Sequence, residues 1–138
     1  MLGRMLGVAE AAKMAYGQAR IKNPLHELDV VELQDLTSGL EIIAYEELGL
    51  CPPGEGGRLV DEGVVYKGGK LPVNPHGGCT ACGHVAGVCE VSSMGDVVLQ
   101  LKERAGPIQV PIRRGMGLVA STCSAASFGA VTIFKRES

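Results

Sequence analysis

The sequence predicts an α/β fold, with helices packed on a mixed sheet, and three observations predict it. Stretches with helical periodicity alternate with short apolar runs, two such runs fall together near the end of the chain, and glycine concentrates between them. The first helix is expected over Leu2–Arg20, where Met5, Ala9, Ala12, Tyr16 and Ala19 recur at helical spacing before "KNP". "DVVELQ", Asp29 to Gln34, reads as a short buried strand. A second helix follows with Leu36, Leu40, Ile43 and Leu48 along one side, and Gly49 ends it. Ser38 and Glu41 have the spacing of a capping box, with Asp35 as an alternative cap one turn earlier. Residues 50–83 are rich in Gly and Pro and read as a long active-site loop, with "VVYKGGKLPV" a small hairpin turning at Gly68–Gly69. His84 then opens the clearest helix, its apolar face Val91, Met94, Val98 and Leu101, stopped by Gly106–Pro107. "GMGLVAST" and "GAVTIFK" are two strands joined across "CSAASF".

A chain of 138 residues is enough for one domain, here 1–138, burying roughly two-thirds of the surface that its unfolded form would expose. Its net charge of −2 argues against a nucleic-acid or membrane-surface binder, which needs a basic field. Glu10 and Lys13 break the first apolar run before it reaches signal-peptide length, and no run approaches the roughly 20 residues that span a bilayer. Five cysteines is an odd number, so reduced thiols in a cytoplasm are expected.

"NPHGGCTACGHVAGVC", Asn74 to Cys89, holds two histidines and three cysteines. Covalent haem attachment is disfavoured because Gly83 separates Cys82 from His84. Zinc has four candidate ligands in Cys79, Cys82, His84 and Cys89, but structural sites usually pair well-separated doublets, and one doublet here would lie on a helix with its own core face. A Cys79-x-x-Cys82 redox centre lacks the surrounding thioredoxin-like strands. Small thiols packed against glycine backbone is the favoured reading for Cys51, Cys79 and Cys82, and no metal is expected.

The glycines and His84 carry more. "NPHGG", four residues, then "GH" resembles the thiolase superfamily, where Asn-Pro-Ser-Gly-Gly and Gly-His-Pro carry the catalytic histidine. "AAKMAYGQARIKNPLHELDVVELQDLTSGLEIIAYEELGLCPPGEGG" is similar to the C-terminal half of sterol-carrier-protein-type and archaeal-type thiolases. "QDLT" stands where those have Asn-Glu-Ala-Phe or His-Asp-Cys-Phe. "GGRLVDEG…GGKLPVNPHGG", "VVLQLKERAG" and "GLVAST…GAVTIF" follow the same pattern in order, so the resemblance covers almost the whole chain.

The resemblance implies a thiolase-like C-terminal half acting on acyl-CoA by Claisen condensation or thiolysis of 3-ketoacyl-CoA. Coenzyme A is then a thioester substrate, with no resident cofactor. It implies His84 as the catalytic histidine at the positive end of a helix, Gln34 in an oxyanion-hole role, and Cys123 near the acid/base cysteine. Asn74, Gly77, Gly78 and an exposed His76 would face substrate, and His26 reads as a surface residue. The family's nucleophilic cysteine lies in an N-terminal half that these residues do not include. Partners implied are therefore such a half or a second copy, with a small zinc-ribbon/OB-fold acyl-CoA-binding protein as a further class. An uncovered apolar face is expected where the other half packs, and the isolated chain is expected to be inactive. Departures are Val85 for Pro, Cys89–Glu90 for small residues, and "STCSAASFG" for the family's last glycine-rich loop, with Cys123 about one residue out of register. Rival readings are a non-catalytic acyl-CoA or lipid-binding module, a truncated remnant, and a carbon–carbon lyase on the same scaffold.

Overall fold

The computed structural model describes residues 5–123 and 128–137. The elements are α1 (Leu6–Ala19), the single turn α2 (Pro24–Glu27), β1 (Val30–Leu33), α3 (Ser38–Glu47), α4 (Gly56–Asp61), α5 (Gly78–Cys82), α6 (Val88–Leu101), a 3-10 turn (Gly106–Ile108), β2 (Met116–Cys123) and β3 (Phe128–Lys135). The sheet order is β1-β2-β3. β1 runs parallel to β2 with Val30 opposite Gly117 and Leu33 opposite Ala120; β2 and β3 are antiparallel from Met116–Lys135 to Cys123–Phe128. The expected mixed α/β architecture is therefore the observed one.

β1 is buried along its whole length, which explains an apolar run without alternation. Its alternate residues feed two cores. Val31 and Leu33 point with Leu118 and Ala120 into a core closed by α1 and α3 through Val8, Ala12, Ala44, Tyr45 and Leu48. Val30 and Val119 face the other side and pack against Val97 and Leu101 of α6 and against Val110. Both packings depend on glycine. A Cβ on Gly117 would lie 2.5 Å from Val97 Cγ1, and one on Gly129 of β3 would lie 2.5 Å from the backbone nitrogen of Val8 in α1. Helices thus sit on both sheet faces at close range.

Four local expectations are corrected. α3 is capped by Thr37, whose Oγ1 accepts the Leu40 N–H at 3.2 Å, not by Ser38 or Asp35. The 50–83 segment contains α4 and α5 and is no continuous loop. Its expected hairpin is reduced to a turn bond from Gly69 N–H to Tyr66 O and two bonds between its arms, Leu71 N–H to Val64 O and Val73 N–H to Val65 O. Pro72 has no N–H to extend a ladder, and Val73 instead bridges Val31 on the free edge of β1. The α6 core face also differs. Met94 and Leu101 face the core as expected, but Val97 and Gln100 are buried in place of Val98, and Val91 is 67% exposed, so the core-facing stripe lies about one position earlier in the chain than the Val91–Met94–Val98 pattern implies.

Asp29 locks the two parallel strands together. Its buried carboxylate accepts the N–H groups of Arg113, Arg114, Gly115 and Met116 at 2.6–3.2 Å, satisfying four donors of the turn that starts β2.

Candidate functional site

Gln34 follows β1, and Thr122 lies at the last turn of the ladder in β2, so both stand at the carboxyl ends of the parallel pair. In open α/β sheets ligands tend to bind at this end of the strands. Gln34 is buried, and its Oε1 accepts the Thr122 N–H at 3.0 Å. That bond fixes the carboxamide and aims Nε2 outward, 3.4 Å from His84 Nδ1, 3.3 Å from His84 Nε2 and 3.4 Å from Glu90 Oε1. Two of the three expected catalytic positions, Gln34 and His84, are therefore in contact. Cys123 closes β2 opposite Phe128, one residue after the Thr122 amide that holds Gln34. Its side chain lies outside the described residues.

His84 does not open α6, which begins at Val88 with Gly87 at its cap. Gly83 and Gly87 have φ of +83° and +81°, a backbone that interrupts any helix running through His84. His84 is exposed on the connection between α5 and α6, four residues before the helix begins. The same connection folds Cys89 back on itself. Cys89 Sγ accepts the Val85 N–H at 3.0 Å and lies 3.6 Å from Gly83 O. Cys79 Sγ is 3.9 Å from His84 Nδ1, and the ligand atoms of Cys79, His84 and Cys89 all lie within 4.8 Å of one another. Cys82 points elsewhere, with its Sγ 3.9 Å from His76 O. Burial, reinforced by the Asp35 carboxylate, pushes the Cys79 thiol up to about 11, so it is protonated at neutral pH and is no activated nucleophile.

The expected substrate contacts behave differently. Asn74 is buried, and its Oδ1 accepts the Leu33 N–H at 2.8 Å while its backbone N–H bonds Val31 O. It holds the free edge of β1, its Nδ2 is buried without a partner, and the residue borders a recess of about 400 Å3 lined also by Ser38, Glu41, Tyr45, Pro75 and Gly77. His84 is not among the residues that line that recess. Gly78 is buried at φ +63°, where a Cβ would fall within 2.5 Å of Asp35 Cγ. The Asp35 carboxylate needs that space, because it accepts the Cys79 N–H at 2.5 Å and the Thr80 N–H at 3.4 Å at the start of α5. Packing against Asp35 therefore requires glycine at position 78.

His76 is not exposed as expected. Its side chain is 18% accessible, with Nδ1 2.9 Å from Oε2 of the fully buried Glu32 and Nε2 3.9 Å from Asp96. The Glu32 contact is an ion pair whose alignment falls short of a hydrogen bond, leaving both Glu32 oxygens without one. The neighbouring Glu32 carboxylate raises His76 above the ordinary histidine value, while burial raises Glu32. Sequence reasoning missed this pair. Its signal was an acidic residue in the middle of an apolar strand, which demands a partner. His26 is exposed on α2, as expected, with Nε2 2.9 Å from Lys70 Nζ.

The sheet carries helices on both faces and a polar cluster at the carboxyl ends of its parallel strands. Residues 2–136 match the family model described as thiolase C-terminal domain-like, and the chain belongs to that family. It is 35% identical over 133 residues to an acetyl-CoA acetyltransferase of Methanothermobacter thermautotrophicus, covering 96% of this chain and 34% of that protein. It is 41% identical over 102 residues to sterol carrier protein 2 of Oryctolagus cuniculus, covering 74% of this chain and 18% of that one. The chain therefore spans about a third or less of these relatives. Among solved structures, the Ltp2-ChsH2(DUF35) aldolase superposes with a TM-score of 0.77 at 21% identity, over 95% of this chain and 32% of that one, a likeness of fold. No helix among the described residues is long and apolar enough to cross a membrane.

Proposed function

We propose that this domain is the C-terminal half of a thiolase-like acyl-CoA acyltransferase, working with an N-terminal thiolase half that supplies the nucleophilic cysteine. The observation that carries the reading is the contact of Gln34 with His84 at the carboxyl ends of the parallel strands, one residue from Cys123. In this reading His84 takes the proton of the partner half's cysteine, whose thiolate attacks the thioester carbonyl. The carbonyl oxygen becomes an oxyanion that Gln34 Nε2 is placed to support, directly or through water, until coenzyme A leaves as its protonated thiol. A carbon nucleophile or a second thiol then takes the acyl group from cysteine, with Cys123 as the candidate proton carrier. No resident cofactor enters the scheme.

The need for another half is supported by the exposed Val85, Val88 and Val91, each 61–67% accessible, along the connection that carries His84 and the first turn of α6. The test is thiolysis of a short 3-ketoacyl-CoA by the domain assembled with a thiolase N-terminal half. His84→Ala should lower kcat by roughly 100-fold or more with assembly intact. Unchanged turnover in that variant, or no turnover in the unaltered assembly, overturns the reading.

A further inference from the structure

We infer that Cys79, His84 and Cys89 form a binding site for a single thiophilic divalent ion, with Zn2+ the best match. The three residues are evenly spaced in sequence, yet their convergence is a product of the fold. Cys79 sits on α5, which Asp35 anchors from the end of β1; His84 follows α5 after Gly83; Cys89 is turned back by Gly87 onto the amide of Val85. The ligand atoms lie within 4.8 Å of one another, and the Cys79–His84 pair is at 3.9 Å. Tetrahedral zinc, with bonds of about 2.3 Å to sulfur and about 2.0 Å to nitrogen, needs ligand atoms roughly 3.5–3.8 Å apart. The site closes on an ion by rotamer adjustments of less than about 1 Å.

The donor set selects the metal by chemistry. Two thiolates and one imidazole favour zinc over magnesium or calcium, which want oxygen ligands. Three protein ligands on an exposed connection leave the fourth position to water, the arrangement of an exchangeable site rather than a closed structural one. The sequence offers Cys79, Cys82, His84 and Cys89 as candidate ligands, and no metal is expected from it; α5 sends Cys82 toward His76 and leaves it out of the cluster. On binding, the ion replaces one proton on each thiol and both protons go to solvent. The ion would hold the same His84 that the proposed acyl transfer uses, so metal occupancy and turnover exclude one another. Binding itself does not depend on that chemistry.

The experiment is titration of the reduced, full chain with Zn2+ against a chromophoric chelator, and with Co2+ as a spectroscopic probe. One equivalent of each should bind, and Co2+ should show thiolate charge-transfer absorption with the visible bands of a tetrahedral ion. Cys79→Ser/Cys89→Ser should abolish both, whereas Cys82→Ser should retain them. Absence of the thiolate–cobalt spectrum in the unaltered chain overturns the site without recourse to variants. So does binding that survives the double substitution, or that is lost with Cys82→Ser. Because no activity is read, failure of the acyltransferase reading would leave this result standing.

Discussion

Gln34 Oε1 holds the Thr122 amide at 3.0 Å while its Nε2 lies 3.3 Å from His84 Nε2, so one carboxamide joins the sheet to the catalytic candidate. Gln34→Leu should separate these roles from the rest of the fold. The Thr122 N–H loses its acceptor, at a cost of about 1–3 kcal/mol in urea unfolding. The His84 ring resonances in NMR should shift as its neighbour disappears. A variant of unchanged stability with an unmoved His84 spectrum would show that the contact has no hold on the ring.

Stability should fall as pH rises through the region where His76 loses its proton. His76 is raised above its unfolded value of 6.5 chiefly by Glu32, so its contribution is complete below 6.5 and is lost as pH climbs through the folded value. Glu32, raised by burial, has the same sign: its protonated form is favoured by folding, and ionisation on raising the pH removes that contribution. Urea unfolding at several pH values should therefore show a decline above pH 6.5 that His76→Gln reduces, leaving the part that belongs to Glu32. That variant should also lose about 1–3 kcal/mol below this window, because it leaves the buried Glu32 carboxyl without its imidazole partner. Glu32→Gln/His76→Gln should recover much of the loss. If the double variant is no better than the single one, the pair is not coupled.

Gly78→Ala should destabilise α5 by about 1–2 kcal/mol for the left-handed backbone alone, and further by driving Asp35 off the amides of Cys79 and Thr80. Hydrogen exchange reads this locally. The Cys79 and Thr80 amides should lose protection while those of β2 keep theirs; equal protection in both proteins would rule the clash out.

Gly117→Ala tests the other sheet face. Its Cβ would lie 2.5 Å from Val97 Cγ1, so α6 must lift or Val97 must leave its rotamer, at about 1–3 kcal/mol. Pairing it with Val97→Ala should restore part of the stability, and a strictly additive double variant would contradict the contact.

Much of the architecture was legible because period and burial agree in the sequence. β1, β2, β3, α1 and α3 lie within a few residues of where apolar spacing puts them. The pattern failed where glycine decides. Gly83 and Gly87 take positive φ, so the helix expected from His84 starts four residues late, and no hydrophobic periodicity encodes that delay. The site was legible in its members more than in its geometry. Gln34 and His84 do meet, although 50 residues separate them. Asn74 and Gly78, singled out as substrate contacts, are engaged with Leu33 and Asp35, contacts that only the tertiary fold creates. His76 was placed at the surface because its partner, Glu32, lies on a strand 44 residues away and nothing local announces the pairing.

Asp29 also constrains the order in which the molecule can assemble. Its carboxylate reaches Gly115 across 86 residues, and the β1–β2 pairing beside it spans a similar distance. The β2–β3 hairpin is local by comparison and can form as soon as its two strands exist. During synthesis β1 therefore emerges long before its neighbour in the sheet, carrying a buried-type apolar run whose edge toward β2 stays unpaired. Closing so long a loop costs chain entropy before any contact repays it. Commitment to the native sheet thus waits for the last quarter of the chain, and until then the exposed β1 segment is the point most open to capture by a chaperone or to mispairing.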